Sequence, residues 1–201
     1  MKQVVDQLKH YLPPHAIPLI ADWIIETRCD VRISRPRRTK LGDYRRPFKD
    51  KGHRISVNSD LNPYAFLLTL VHEFAHLRVW ECYGVRVDPH GKEWKHKFRE
   101  LMDPFLFAGI FPEDLKGPVT RYLENPSASS GVDVVLQQNL RRYDTTQPML
   151  VLDQVIAGAL FKVSGNRVFR KGERLRKRYK CVEIRTGKQY LIHPMCEVIL
   201  L

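Results

Sequence analysis

Cysteine is scarce. The 201 residues hold four, Cys29, Cys82, Cys181 and Cys196, scattered and with no Cys-x-x-Cys pair. That pattern excludes a disulfide scaffold and a cysteine-built structural zinc, and it suits a reducing cytosol. Long apolar runs are missing too, so no segment reads as spanning a membrane and no membrane partner is expected. The opening residues Met1-Lys2-Gln3-Val4-Val5-Asp6 lack the apolar stretch of a signal peptide. A cytoplasmic protein is the expectation. Acidic residues are few, 22 against 34 Lys and Arg, for a net charge of +12. A surplus of that size at this length implies attraction to a polyanion, with nucleic acid the first candidate and an anionic membrane surface the second.

What is present is a core and one dense motif. With 43% apolar residues, the chain can bury one good core or one core plus a small appendage. The motif is His72-Glu73-Phe74-Ala75-His76. Two histidines four apart lie one above the other on a helix and can grip a single ion from one side. The neighbouring Glu73 can then deprotonate a water held by that ion, as a general base. The helical context is present: Asn62-Pro63 reads as a start and Gly84 as a stop, with no Pro or Gly between Tyr64 and Trp80. Apolar residues lie nearly all round this helix, so it belongs in a core. Two histidines and a glutamate buried there are costly unless paired or coordinated.

A catalytic zinc has three protein ligands and one open position. The best third candidate is His90, at the buried end of a helix that Asp88-Pro89 starts and whose apolar stripe is Trp94, Phe98, Leu101 and Met102. Glu93, Glu100 and Cys82 are formal alternatives. His96, among lysines, reads as solvated, and Cys82 as a small buried thiol near a helix end.

The pairing of His72-Glu73-Phe74-Ala75-His76 with His90-Gly91-Lys92-Glu93-Trp94 resembles the SprT-like metalloprotease domain, the family that includes Spartan. Lys40-Leu41-Gly42-Asp43-Tyr44-Arg45 and His53-Arg54-Ile55-Ser56-Val57-Asn58 are similar to the two strands leading into that family's active-site helix. The likeness covers roughly residues 15 to 110. It implies an α+β, zincin-type fold, helices plus a small antiparallel sheet. It also implies a zinc-dependent endopeptidase that associates with DNA and, in the best-understood members, degrades proteins crosslinked to DNA. Many members carry a four-cysteine zinc ribbon after this core, and this chain has none.

On this reading one Zn²⁺ sits on His72, His76 and His90, Glu73 is catalytic, and the partners are DNA, single- or double-stranded, and protein substrates. The alternative is a nucleic-acid-binding protein whose zinc site is structural or catalytically decayed. A metal hydrolase acting on other bonds also stays open. The cations cluster: Arg28 to Arg54 holds eleven Lys/Arg against three Asp, and Arg170 to Lys180 seven against one Glu. Candidate nucleic-acid contacts are Arg35, Arg37, Arg38, Lys40, Arg45 and Arg46 in the first cluster. In the second they are Arg170, Lys171, Arg174, Arg176, Lys177, Arg178 and Lys180.

The expected organisation is a metalloprotease core over 1–118, a linker and short helix over 119–147, and a small basic antiparallel β module over 148–201. Within the core, a helix from about Ala16 to Thr27 buries Ile20, Trp23 and Ile24, and strands begin near Val31, Leu41 and Arg54. Asp103-Pro104 is expected to break the helix after His90, with Phe105 to Phe111 a separate short helix. Phe111-Pro112 and Lys116-Gly117-Pro118 then close the core, and Asn125 to Gly131 reads as a linker. In the module, Ser164-Gly165-Asn166 and Thr186-Gly187 mark hairpin turns, and Arg170–Lys180 reads as one basic strand.

Overall fold

A computed structural model describes residues 6–37, 39–127, 133–145, 150–163 and 167–201. The expected turn Ser164-Gly165-Asn166 and most of the Asn125–Gly131 linker lie outside these. The chain divides into two compact units, residues 1–145 and 146–201.

The first unit is built on a central helix. Helix α1 (Ile17–Thr27) buries Ile20, Trp23, Ile24 and Thr27 and ends on Arg28 in the left-handed conformation, φ +50°. Strands β1 (Asp30–Ser34), β2 (Gly42–Arg45) and β3 (Arg54–Asn58) follow, then α2 (Pro63–Tyr83). The Asn62 side chain accepts the Ala65 amide and Pro63 occupies the first turn, while Gly84 terminates the helix at φ +62°. Both ends of α2 are where the sequence places them. Its residues 65–75 are buried without interruption, because the sheet covers one side and α3 (Lys92–Phe107) another. Trp23 fits between Phe74 and Phe105, its ring 5.4 and 5.5 Å from theirs.

The sheet order is β1-β3-β2, and it is mixed rather than antiparallel. β1 runs parallel to β3, pairing Val31 with Ile55 and Ile33 with Val57, and β2 runs antiparallel on the other side, pairing Tyr44 with Ile55. The reason lies in the connection between β1 and β2, which crosses the end of the central strand. Arg37 pins it there, donating from Nε to Asn58 Oδ1 (2.8 Å) and from a terminal nitrogen to Ser56 Oγ (3.0 Å).

Two prolines do not act as the sequence suggests. α3 runs through Pro104, and α4 (Glu113–Glu124) runs through Pro118. An interior proline costs about 3 kcal/mol. Here Leu101, Met102 and Phe105 around the first, and Leu115, Val119 and Tyr122 around the second, are all buried, and that burial offsets the cost. Helix α5 (Val134–Leu140) is capped by the Asp133 side chain, which accepts the Leu136 amide.

The second unit is a five-stranded antiparallel sheet in the order β7-β6-β5-β4-β8. Its strands are β4 (Leu160–Lys162), β5 (Val168–Arg174), β6 (Tyr179–Glu183), β7 (Gln189–Ile192) and β8 (Ile199–Leu200). Phe161, Phe169, Tyr179 and Cys181 form its core with Leu152, Val155 and Val198. The basic stretch expected as one strand is strand, turn and strand. The Leu175 amide donates to the Arg178 carbonyl (2.8 Å), and the pairing shifts register between Lys171 and Arg174. A Cβ on Gly172 would collide with the Lys180 carbonyl, so glycine is what lets the irregular pair close.

Among the described residues, no helix is long and apolar enough to cross a membrane.

Candidate metal centre

α2 supplies two of the converging rings. His72 and His76 stand one turn apart, and their Nε2 atoms are 3.3 Å from each other. His90 arrives from the turn ahead of α3, its Nε2 lying 2.9 Å from that of His76 and 3.2 Å from that of His72. The three make a group able to hold a metal ion. The donor set fits one. Nitrogens bound tetrahedrally at about 2.0–2.1 Å stand roughly 3.3 Å apart, close to the spacing found here.

Protonation favours the same use. Burial and mutual repulsion push His72 down to about 2 and His76 down to about 3, and burial lowers His90 as well. All three rings are neutral near pH 7, the form that ligates. Trp94 closes the floor. Its ring lies 4.5, 5.4 and 4.7 Å from His72, His76 and His90, and its indole N–H donates to the His72 carbonyl at 3.4 Å. His90 itself has φ +61°, a left-handed backbone that costs a side-chain-bearing residue about 1 kcal/mol. The α3 helix starts only at Lys92, with Gly91 as its cap, so His90 is carried by a turn and not by the helix.

Glu73 is buried, 7% exposed, and it faces strand β2. A backbone hydrogen bond from Tyr44 reaches its carboxylate, while burial and the nearby Asp43 raise it to about 8. A cation held on the three imidazoles would draw it back toward the ionised form. Gly42 makes room for this carboxylate. A Cβ there would stand 2.8 Å from Glu73 Cγ and 2.8 Å from Thr69 Cγ2, and closer still to the carboxylate oxygen. Gly42, Asp43, Tyr44, His72, Glu73, His76 and His90 line one cleft of about 270 Å³. Sequence reasoning missed Gly42 and Tyr44 as parts of the site. The available signal was a glycine inside a strand pattern, which marks close backbone approach.

The other candidates lie elsewhere. Cys82 and His96 are exposed, and the thiol is not the buried one expected. Glu100 pairs with Lys97 at 2.6 Å. Of the cations, Arg35 and Arg46 are exposed, Arg37 is tied to the sheet, and Arg38 lies outside the described residues. Lys40 and Arg45 both hold Asp43. In the second unit, Arg170, Arg176, Lys177 and Arg178 are exposed, and Lys180 stands 3.9 Å from Glu173. Arg174 reaches Asp153 at 3.3 Å. Lys171 faces inward, contrary to expectation. It is 5% exposed, donates to the Asp153 and Val155 carbonyls, and sits 3.9 Å from the centre of the Tyr179 ring.

The SprT-like family matches this chain over residues 21–115. Among curated proteins, the chain is similar to Protein SprT of Shigella boydii, 49% identical over 56 residues, which are 26% of this chain and 33% of that protein. Protein SprT of Cronobacter sakazakii is 60% identical over 56 residues, with the same shares. Protein SprT of Escherichia coli K12 is 43% identical over 56 residues. The matched segment thus spans about a third of the length of these relatives. No solved structure matches the chain. Residues 21–115, which carry both the three converging imidazoles and Glu73, are thus the part of the chain that matches the SprT-like family.

Proposed function

We propose that this protein is a zinc-dependent endopeptidase acting on proteins associated with DNA, including proteins crosslinked to it. The observation that carries the reading is the convergence of three neutral imidazoles and one buried carboxylate in a single cleft beside a sheet edge. A divalent ion such as Zn²⁺ supplies, when bound, a Lewis acid that polarises a carbonyl and acidifies water.

His72, His76 and His90 would hold that ion, and the burial that keeps them unprotonated fits them for it. Glu73 takes the proton of the attacking water and passes it to the leaving amine. Among the described strands β2 pairs with β3 alone, and strand addition on its other edge would lay an extended peptide along the cleft. The likeness to a peptidase family and the strand edge favour peptides over other hydrolysable bonds. The DNA partner rests on the net charge of +12 and its clustering.

The test is metal analysis together with a cleavage assay run with and without DNA, on the wild type and Glu73→Gln. The expected result is about one zinc per chain in both proteins, cleavage stimulated by DNA in the wild type, and none in the variant. Full cleavage by Glu73→Gln would remove this residue from the mechanism. Metal without any cleavage would instead leave a nucleic-acid-binding protein with a structural or decayed site.

A further inference from the structure

The outward face of the three-stranded sheet concentrates arginine. Strand alternation puts Asp30 and Arg32 of β1, Arg54 and Ser56 of β3, and Asp43 and Arg45 of β2 on the face turned away from α2. The register sets Arg45 directly opposite Arg54. Like charges paired across two strands repel, and nothing in the sheet requires them there. Arg32 is held by Asp30 at 2.6 Å and Arg45 by Asp43 at 2.9 Å. Arg54 has no such partner among the described residues, and its Nε is a buried donor with no hydrogen bond. A buried unpaired donor costs about 1–3 kcal/mol. These residues line a pocket of about 170 Å³, bounded by Arg32, Asp43, Arg45, Arg54 and Ser56.

The hairpin that joins β2 to β3 leads away from this pocket. Its tip closes on the Phe48–Lys51 bridge, and Phe48 is 66% exposed with the Lys49 ammonium 5.6 Å from its ring. Arg46, Lys49 and Lys51 beside it are exposed. A large aromatic left in water among cations gains nothing from folding, whereas a nucleobase stacked on it does. Arg45 and Phe48 are three residues apart, at most about 10 Å along the chain.

We propose that Arg54, with Arg32 and Arg45, seats a backbone phosphate of single-stranded nucleic acid, whose neighbouring base stacks on Phe48. The proposal rests on the nucleic-acid reading above and gives it a place and a strandedness. Three guanidiniums around one small pocket, Arg32 and Arg45 each already paired with an aspartate and Arg54 not, leave a net positive charge and donors for one phosphodiester. Arg54, the one of the three without an ion-pair partner among the described residues, then gains a counter-charge, and the Arg45–Arg54 repulsion is relieved by the anion between them. Duplex DNA offers phosphates but no free base face, which is why Phe48 favours a single strand. A phosphopeptide would fill the pocket but leave the ring without a partner. β2 thereby carries two ligands, a peptide along the edge away from β3 and a phosphate on its outer face.

The experiment is fluorescence anisotropy of the full-length, zinc-loaded protein with labelled oligo-dT, the matching duplex and a phosphoserine peptide, over a salt series. Arg54→Gln should weaken oligo-dT binding and lower the slope of log K against log salt by about 0.7, one single-strand phosphate contact. Phe48→Ala should weaken oligo-dT binding about tenfold and leave the slope unchanged. Its effect on duplex should be less than about twofold. Arg54→Lys, which restores the charge, should recover the slope. Retained zinc and an unchanged melting temperature confirm that each variant is folded. If the wild type binds no nucleic acid, the nucleic-acid reading itself fails. If the wild type binds but neither Arg54→Gln nor Phe48→Ala changes affinity, the seat is wrong and the reading stands. A phosphopeptide bound as tightly as oligo-dT, and equally sensitive to Arg54→Gln, would overturn the nucleic-acid assignment of the pocket.

Discussion

Gly42→Ala adds a single methyl group to the wall of the cleft. The new Cβ would sit 2.8 Å from Glu73 Cγ and 2.8 Å from Thr69 Cγ2, against an ordinary carbon–carbon contact of about 3.5–4.0 Å. Something must move by close to 1 Å. Both neighbours stand on α2, whose buried packing resists displacement, so the Glu73 side chain must turn and lose its hydrogen bond from the Tyr44 amide. Overpacking of this kind costs about 1–3 kcal/mol. At roughly 2–4 °C per kcal/mol for a chain of this size, 2 kcal/mol lowers Tm by about 4–8 °C. A 1 Å displacement of the base is enough to cost about a hundredfold in turnover, while the imidazoles are untouched and zinc content stays at wild-type level. The assay is calorimetry, metal analysis and peptide cleavage on Gly42→Ala, Glu73→Ala and the double variant. Truncating Glu73 removes most of the clash, so adding Gly42→Ala to Glu73→Ala should cost less than half of what it costs the wild type, a coupling of at least about 1 kcal/mol. Additive losses of stability, or wild-type turnover in Gly42→Ala, would refute the argument that this glycine exists to admit the carboxylate.

The remaining predictions concern other elements. His90→Ala should weaken zinc retention by more than about a hundredfold, measured by competition with a chromogenic chelator. His90→Gly should lose zinc equally but, by relieving the φ +61° backbone, give a metal-free protein about 1 kcal/mol more stable than the alanine variant in denaturant titration. Lys171→Ala should destabilise the second unit by about 2 kcal/mol, since it removes the buried ammonium that donates to the Asp153 and Val155 carbonyls. Hydrogen exchange of the β5 and β6 amides reports this, and the salt dependence of nucleic-acid binding should not change. The Glu183 carboxylate, held by Arg167 and Thr186, is lowered from 4.5 to about 2. A carboxylate depressed on folding stabilises above its unfolded value and loses that contribution as pH falls through its folded one. The stability gap between wild type and Glu183→Gln should therefore be full at pH 7 and close between about 4.5 and about 2, as followed by thermal melts across that range.

The chemistry of the site was more readable from sequence than its walls. The i, i+4 spacing, the Asn62-Pro63 cap and the Gly84 stop fix where His72, Glu73 and His76 point, because a helix sets direction by arithmetic. His90 was found as the polar residue leading an apolar stripe, although its turn conformation was not visible. The sheet resisted reading because strands Asp30–Ser34 and Arg54–Asn58 show the same alternation whether they pair parallel or antiparallel. The crossing over the strand end is tied down by long-range contacts, Arg37 to Asn58 and Ser56 and Asn58 to the Lys40 and Leu41 carbonyls among them, and such contacts leave no local pattern. Pro104 and Pro118 misled for a related reason, since local propensity gave way to burial on both sides of each ring. Lys171 misled because one inward-facing ammonium in a run of exposed cations has no sequence signature.

His90 stands on different footing from its two companions. His72 and His76 are bolted to the most deeply packed rod in the molecule, whereas His90 hangs on a connector between rods. The three donors therefore differ in what holds them: two are fixed by the packing of one helix, while the position of the third depends on residues 84–91, so a change in that connector would alter the donor triangle without touching a donor atom.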